Sequence, residues 1–155
     1  MRTAIVVDPR YQQHDTGTGH PERPERLMSV ERALNDWHGA PLEHVPARMA
    51  DEDEIRLAHT DDLYQRIAGT QHMARARIDA DTTTCDRSFE TALLAAGGLL
   101  ELSDAVATRA FRNGFAFVRP PGHHATAGQA MGFCLFNNVA IAARHLQRRH
   151  GYERI

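Results

Sequence analysis

The residues of this chain best suited to chemistry lie in two short runs. They are Arg119-Pro120-Pro121-Gly122-His123-His124-Ala125 and Gly132-Phe133-Cys134-Leu135-Phe136-Asn137-Asn138. Two prolines and a glycine fix the backbone ahead of two adjacent imidazoles, each able to take or give a proton near neutral pH. Gly132-Phe133-Cys134 then brings an aromatic ring and a bare backbone position, materials for the wall of a narrow pocket. A His-His dipeptide taken alone is usually a solvated pair. Rigid turn chemistry on both sides would serve no purpose for such a pair, so His123 and His124 are read as working residues.

The remaining candidates carry less. Cys134 reads as a small buried hydrophobe rather than a nucleophile, since no basic partner is evident. Arg119 is either a buried hydrogen-bond fork below the site or a strand-end arginine paired with a carboxylate. Asp8 and Asp15 read as surface or loop-fixing carboxylates. The chain has ten histidines, but none in HxxxH or HxH spacing on a convincing helix face; His145 and His150 are five apart and His20 is in a distant loop. Zinc catalysis needs three protein ligands and an open position, so no metal ligand is expected within this chain.

The elements that must position these residues follow from pattern. Thr3 to Val7 is an apolar, β-branched run, read as a buried strand closed by Asp8-Pro9. His14 to Pro24 is a loop. Leu27, Val30, Leu34 and Trp37 mark one face of a helix over Pro24 to Trp37. Asp51 to His59 and Leu63 to Ile67 read as short helices, and Asp79 to Asp86 as a loop. Ser88 to Phe111 is the longest helical pattern, with Gly97-Gly98 permitting close backbone approach. Asn113-Gly114 signals a turn, and Phe115 to Val118 a strand buried on both faces. Leu135 to His150 reads as a helix with Val139, Ala142 and Leu146 on one face, and Glu153 to Ile155 as the onset of another strand. Strands separated by helical crossovers predict an α/β fold with a parallel sheet, whose working loops sit at the carboxyl ends of strands.

Composition sets bounds on this reading. The 155 residues suit one domain, and a net charge of -2 gives no reason to expect a nucleic-acid or membrane partner. All 18 basic residues are Arg. The two cysteines, Cys85 and Cys134, suit a reducing compartment, and no apolar run approaches the roughly 20 residues of a membrane span. The default expectation is the cytoplasm. Oligomeric state is open, a homo-oligomer included.

RPPGHHA and GFCLFNN, at this separation, strongly resemble histone deacetylases of the class II type and their bacterial acetylpolyamine amidohydrolase relatives. Class I members typically carry a glycine-glycine version before the two histidines. Thr18 to Arg26, His59-Thr60 and Ser88-Phe89-Glu90-Thr91-Ala92 also look like the family, so the resemblance covers essentially the whole chain. It implies an arginase/deacetylase-like parallel sheet flanked by helices, with residues 1–155 as the N-terminal part of one domain. It further implies zinc-dependent hydrolysis of an acyl-amide, either acetyl-lysine of a protein or an acetylated polyamine. By resemblance, His124 is the main general base and acid and His123 its electrostatic partner. Gly132 would place its carbonyl beside the substrate amide, and Phe133 would wall the substrate tunnel. His20, Pro21 and Glu22 would sit at the tunnel rim. The family's zinc ligands should follow beyond Ile155, so the 155-residue chain alone is expected to be inactive, and marginally stable unless it pairs with another chain. Two alternatives stand beside this reading: a non-catalytic fragment or split half that binds a partner or acylated ligand, and an α/β binding domain whose histidine pair is incidental.

Overall fold

The computed structural model describes residues 2–155. Strand β1 (Thr3–Val6) is central in a three-stranded parallel sheet, between β2 (Leu42–His44) and β5 (Asn113–Ala116). Thr3 pairs with both Leu42 and Asn113. Ala4, Ile5 and Val6 are buried, as a β-branched and apolar run covered on both faces should be. Helices α1 (Pro24–Asn35), α2 (Glu52–Ile55), α3 (Asp61–Ala68), α4 (Ser88–Ala107) and α5 (Asn138–His150) surround the sheet. A small antiparallel pair, β3 (Ala76–Arg77) and β4 (Thr83–Thr84), stands apart. No helix among the described residues is long and apolar enough to cross a membrane.

α4 is the spine of the molecule. Phe89, Leu94, Ala95, Ala96, Leu100 and Leu102 are all buried, so the helix is apolar around most of its circumference. The glycine pair explains how it packs so closely. A Cβ on Gly97 would lie 2.1 Å from the Arg48 carbonyl oxygen and 2.6 Å from the Ala50 nitrogen. The bare helix surface lets the Ala50 N–H donate to the Leu93 carbonyl at 2.9 Å. A Cβ on Gly98 would lie 2.4 Å from the Tyr11 hydroxyl. One core cluster joins α4 to α3, α5 and the Ala130–Phe136 segment, and a second joins it to β1 and α1.

Several expected boundaries move, each for a packing reason. Asn113-Gly114 opens β5 instead of forming a turn. Gly114 pairs with Ala4, and Leu102 leans over it so closely that a Cβ would meet Leu102 Cδ1 at 2.4 Å. The strand accordingly ends at Ala116, and Phe115 is 62% exposed, not buried on both faces. α4 stops at Ala107, short of Phe111, and Arg109 takes a left-handed φ of 61°. α1 stops at Asn35. Trp37 is 53% exposed and donates its indole N–H to the Ala40 carbonyl at 2.8 Å, so it belongs to the turn after the helix.

α5 starts at Asn138, where the Asn137 side chain accepts from the Ala140 N–H at 3.0 Å. Its buried face carries Ile141, Ala142 and His145, while Val139 is exposed. Glu153 to Ile155 is exposed and pairs with no strand among the described residues. β2 and the β3–β4 pair lie in segments too polar or too short to show a strand period.

Candidate active site

β5 hands the chain to Arg119, and Arg119 anchors everything that follows. Its side chain is 4% exposed and forks onto Glu22, with Nε donating to Oε1 at 2.6 Å and Nη2 to Oε2 at 2.7 Å. Nη1 also donates to the Tyr11 carbonyl at 3.2 Å and Nη2 to the His14 carbonyl at 3.0 Å. Both readings of Arg119 therefore hold at once: it is a strand-end arginine paired with a carboxylate, and it is a buried fork. Glu22 is thereby placed beneath the loop, 2% exposed, rather than at a rim. His14 packs against this pair, with Nδ1 2.7 Å from Ser88 Oγ and Nε2 without a hydrogen-bond partner. Burial first, and the Arg119 charge second, lower its pKa to about 4, so the ring is neutral at pH 7.

Beyond Arg119 the peptide to Pro120 is cis, and Gly122 brings the loop against α5. A Cβ on Gly122 would lie 2.3 Å from Asn138 Cγ, and the Val139 N–H donates to the Gly122 carbonyl at 3.1 Å. Asn137 Nδ2 donates to the Ala125 carbonyl at 2.8 Å. Cys134 is fully buried, and its sulfur faces the backbone N–H groups of His123 at 3.4 Å and His124 at 3.5 Å. It thus pins the histidine backbone, a role beyond that of a small hydrophobe.

Met131 to Cys134 forms a tight reversal in which each end residue donates its N–H to the other's carbonyl, at 3.1 and 3.0 Å. Both central residues take left-handed backbone angles, φ 58° at Gly132 and 67° at Phe133. Gly132 is required there twice over, since a Cβ would also lie 2.9 Å from His124 Cβ. Phe133, unlike glycine, is strained at such a φ. Its N–H donates to Thr82 Oγ1 at 3.1 Å, and its ring meets the edge of His20 at 4.8 Å, which together hold it.

The result is a cleft of about 500 Å³ whose lining includes Pro21, Pro121, His123, His124, Gly132 and Phe133. Glu22, Arg26 and Asp81 complete it. The two imidazoles lie side by side, with centroids 4.2 Å apart and planes at 52°. Both are exposed, and their ring nitrogens have no hydrogen-bond partner among the described residues. The structure therefore gathers His123, His124, Gly132, Phe133 and Pro21 around one space. His20 stands behind Phe133, its Nε2 3.1 Å from the Asp81 carbonyl.

The donors around this cleft do not make a zinc site by themselves. Glu22 is committed to Arg119, and no three carboxylate, imidazole or thiol groups of the cleft converge among the described residues. The one such convergence among them is elsewhere: Asp104, His145 and His150, with ligand atoms within 4.8 Å of one another. Sequence reading passed over it because the two histidines are five apart and Asp104 is far from both in sequence. The His-x4-His spacing at a helix end was the available signal.

Residues 20–155 match the histone deacetylase domain family. The chain belongs to the histone deacetylase family. The relatives of this deacetylase-family chain include polyamine deacetylase HDAC10 of Homo sapiens, 42% identical over 144 residues, spanning 86% of this chain and 21% of the relative. They also include the uncharacterized protein slr0245 of Synechocystis sp., 35% identical over 156 residues, spanning 98% of this chain and 51% of the relative. The crystal structure of the HDA15 HD domain superposes with a TM-score of 0.89 at 35% identity, covering 96% of this chain and 44% of that one. The chain therefore spans about half the length of these relatives or less, and its parallel sheet flanked by helices is shared with the HDA15 HD domain.

Proposed function

We propose that this chain supplies the proton-transfer histidines and part of the substrate wall of a deacetylase that hydrolyses an acyl-amide, either acetyl-lysine or an acetylated polyamine. The observation that carries the reading is the pair of unengaged imidazoles of His123 and His124 in one cleft with Phe133 and Gly132. An amide is a poor electrophile and its amine a poor leaving group, so the reaction needs proton transfer at both ends. His124, held against Gly132, would take a proton from the attacking water and return one to the departing nitrogen. His123 would tune the charge on its neighbour, and the Gly132 carbonyl would accept from the substrate N–H. Phe133 gives an apolar surface for the methylene chain that carries the acyl group, and Pro21 extends it outward.

The family's zinc, which polarises the carbonyl and acidifies a bound water, would be held by ligands from outside residues 2–155. Cytoplasmic placement rests on the two cysteines, both free and buried. The test is turnover of an acetyl-lysine peptide and of an N-acetylated polyamine by the complete protein and its His124→Ala variant. A loss on the order of 10²–10⁴ in kcat is expected. Unchanged turnover would end the catalytic assignment of His124, and no turnover of either substrate by the unsubstituted protein would favour a module that binds acylated ligands.

A further inference from the structure

The end of α5 remote from the cleft carries a second convergence of chemistry-bearing groups. Asn138 faces the histidine loop, and His145 and His150 lie roughly 10–18 Å further along the helix axis. Nε2 of His145 and Nε2 of His150 reach the same atom, Asp104 Oδ1 on α4, at 2.8 and 2.7 Å. The two ring centroids are 6.3 Å apart, with planes at 63°. The three side chains are 7%, 17% and 18% exposed for His145, His150 and Asp104. Burial pushes the Asp104 carboxyl up, but hydrogen bonds from His150 and His145 and the nearby positive charges hold it below the ordinary range, so it is ionised at neutral pH.

We propose that Asp104, His145 and His150 bind a divalent cation of the zinc class, through two imidazole Nε2 atoms and one carboxylate oxygen. Two histidines separated by four residues fall within the spacing zinc sites use. Zinc bonds of about 2.0–2.2 Å place tetrahedral ligand atoms roughly 3.3 Å apart. The present 2.7 and 2.8 Å contacts therefore need to open by about half an ångström, and the two Nε2 atoms, within 4.8 Å of each other, to close by at most about 1.5 Å. Each ring would carry its proton on Nδ1, turning the Nε2 lone pair to the cation. A cavity of about 390 Å³, lined by Asp53, Glu54, Leu57, His145, Arg148 and Arg149, adjoins the cluster on its His145 side. Arg149, whose Nε is 3.6 Å from Asp104 Oδ2, has a side chain 62% exposed and is free to swing outward. The cation would tie the last turn of α5 to α4, and so fix the helix whose first turn holds the histidine loop. This site is separate from the cleft and does not depend on the catalytic reading.

The test uses the complete protein stripped with a chelator, then titrated with Zn²⁺ alone, as wild type, H150Q and D104N. Wild type is expected to take up one equivalent more zinc than either variant, whatever the cleft itself binds. A hundredfold excess over Kd should raise the melting temperature by roughly 2–5 °C in wild type beyond any rise in the variants. The ring ¹⁵N resonances of His145 and His150 should report metal at Nε2, a readout that needs no variant and covers the case where a substitution unfolds the protein. Equal zinc uptake by folded wild type and variants, or unchanged Nε2 resonances in zinc-loaded wild type, would overturn the proposal. The three groups would then be a hydrogen-bonded helix tie.

Discussion

Replacing Arg119 with Leu asks whether the buried fork joins the two loops of the cleft. Glu22 would then keep its carboxylate buried with Arg26 as its nearest cationic partner, whose Nη1 is 3.5 Å away on a side chain 61% exposed. The carbonyls of Tyr11 and His14 would lose their Arg119 donors as well. Breaking a buried pair by removing one partner costs about 3–5 kcal/mol. For a chain of this size that lowers the melting temperature by about 6–20 °C, at roughly 2–4 °C per kcal/mol. The residual Arg26 contact favours the lower end of this range. Glu22→Leu in the same background removes the orphaned charge and recovers part of the loss. The two bereft carbonyls keep a deficit of about 1–3 kcal/mol. Urea and thermal unfolding of wild type, R119L, E22L and the double variant measure the cycle. A coupling of about 2 kcal/mol or more is expected. Single-variant costs that add to within about 0.5 kcal/mol would refute the reasoning, because the two side chains would then act independently.

Lowering the pH should destabilise the protein through His14. Its folded pKa of about 4 lies below the ordinary 6.5, so the unfolded chain takes the proton first, and stability present at pH 7 is lost as pH falls from 6.5 toward 4. The loss amounts to about 3 kcal/mol, and His14→Phe should remove that part of the slope; parallel pH–stability curves for the two proteins would contradict it. Gly97→Ala should destabilise by about 1–3 kcal/mol or more in thermal melts, despite alanine's better helix propensity, because the new Cβ meets the backbone at Arg48 and Ala50. Gly132→Ala adds a Cβ at φ 58° and 2.9 Å from His124 Cβ. It should cut kcat more than tenfold while costing only about 1–2 kcal/mol of stability, and steady-state kinetics beside a melting curve would separate the two effects.

Local backbone chemistry was legible in the sequence wherever it depends on neighbours a few residues apart. Pro120-Pro121-Gly122 and Gly132 are punctuation of that kind, and they mark the histidine loop and the reversal that abuts it. The Gly97-Gly98 pair announced a close approach without naming the backbone it would meet. The limits of β5 were not legible, because Asn113-Gly114 has the composition of a turn and becomes a strand only through pairing with β1 under Leu102.

By itself, then, the sequence carried the resemblance to the family, in the RPPGHHA and GFCLFNN runs, and the α/β alternation, which follows from residue type and short-range spacing. Only the tertiary structure decided that Glu22 lies buried on Arg119, that His20 backs Phe133, and that Asp104 meets His145 and His150. Those meetings join residues 41 to 113 positions apart, and they arise from helix packing and sheet pairing that no local spacing encodes.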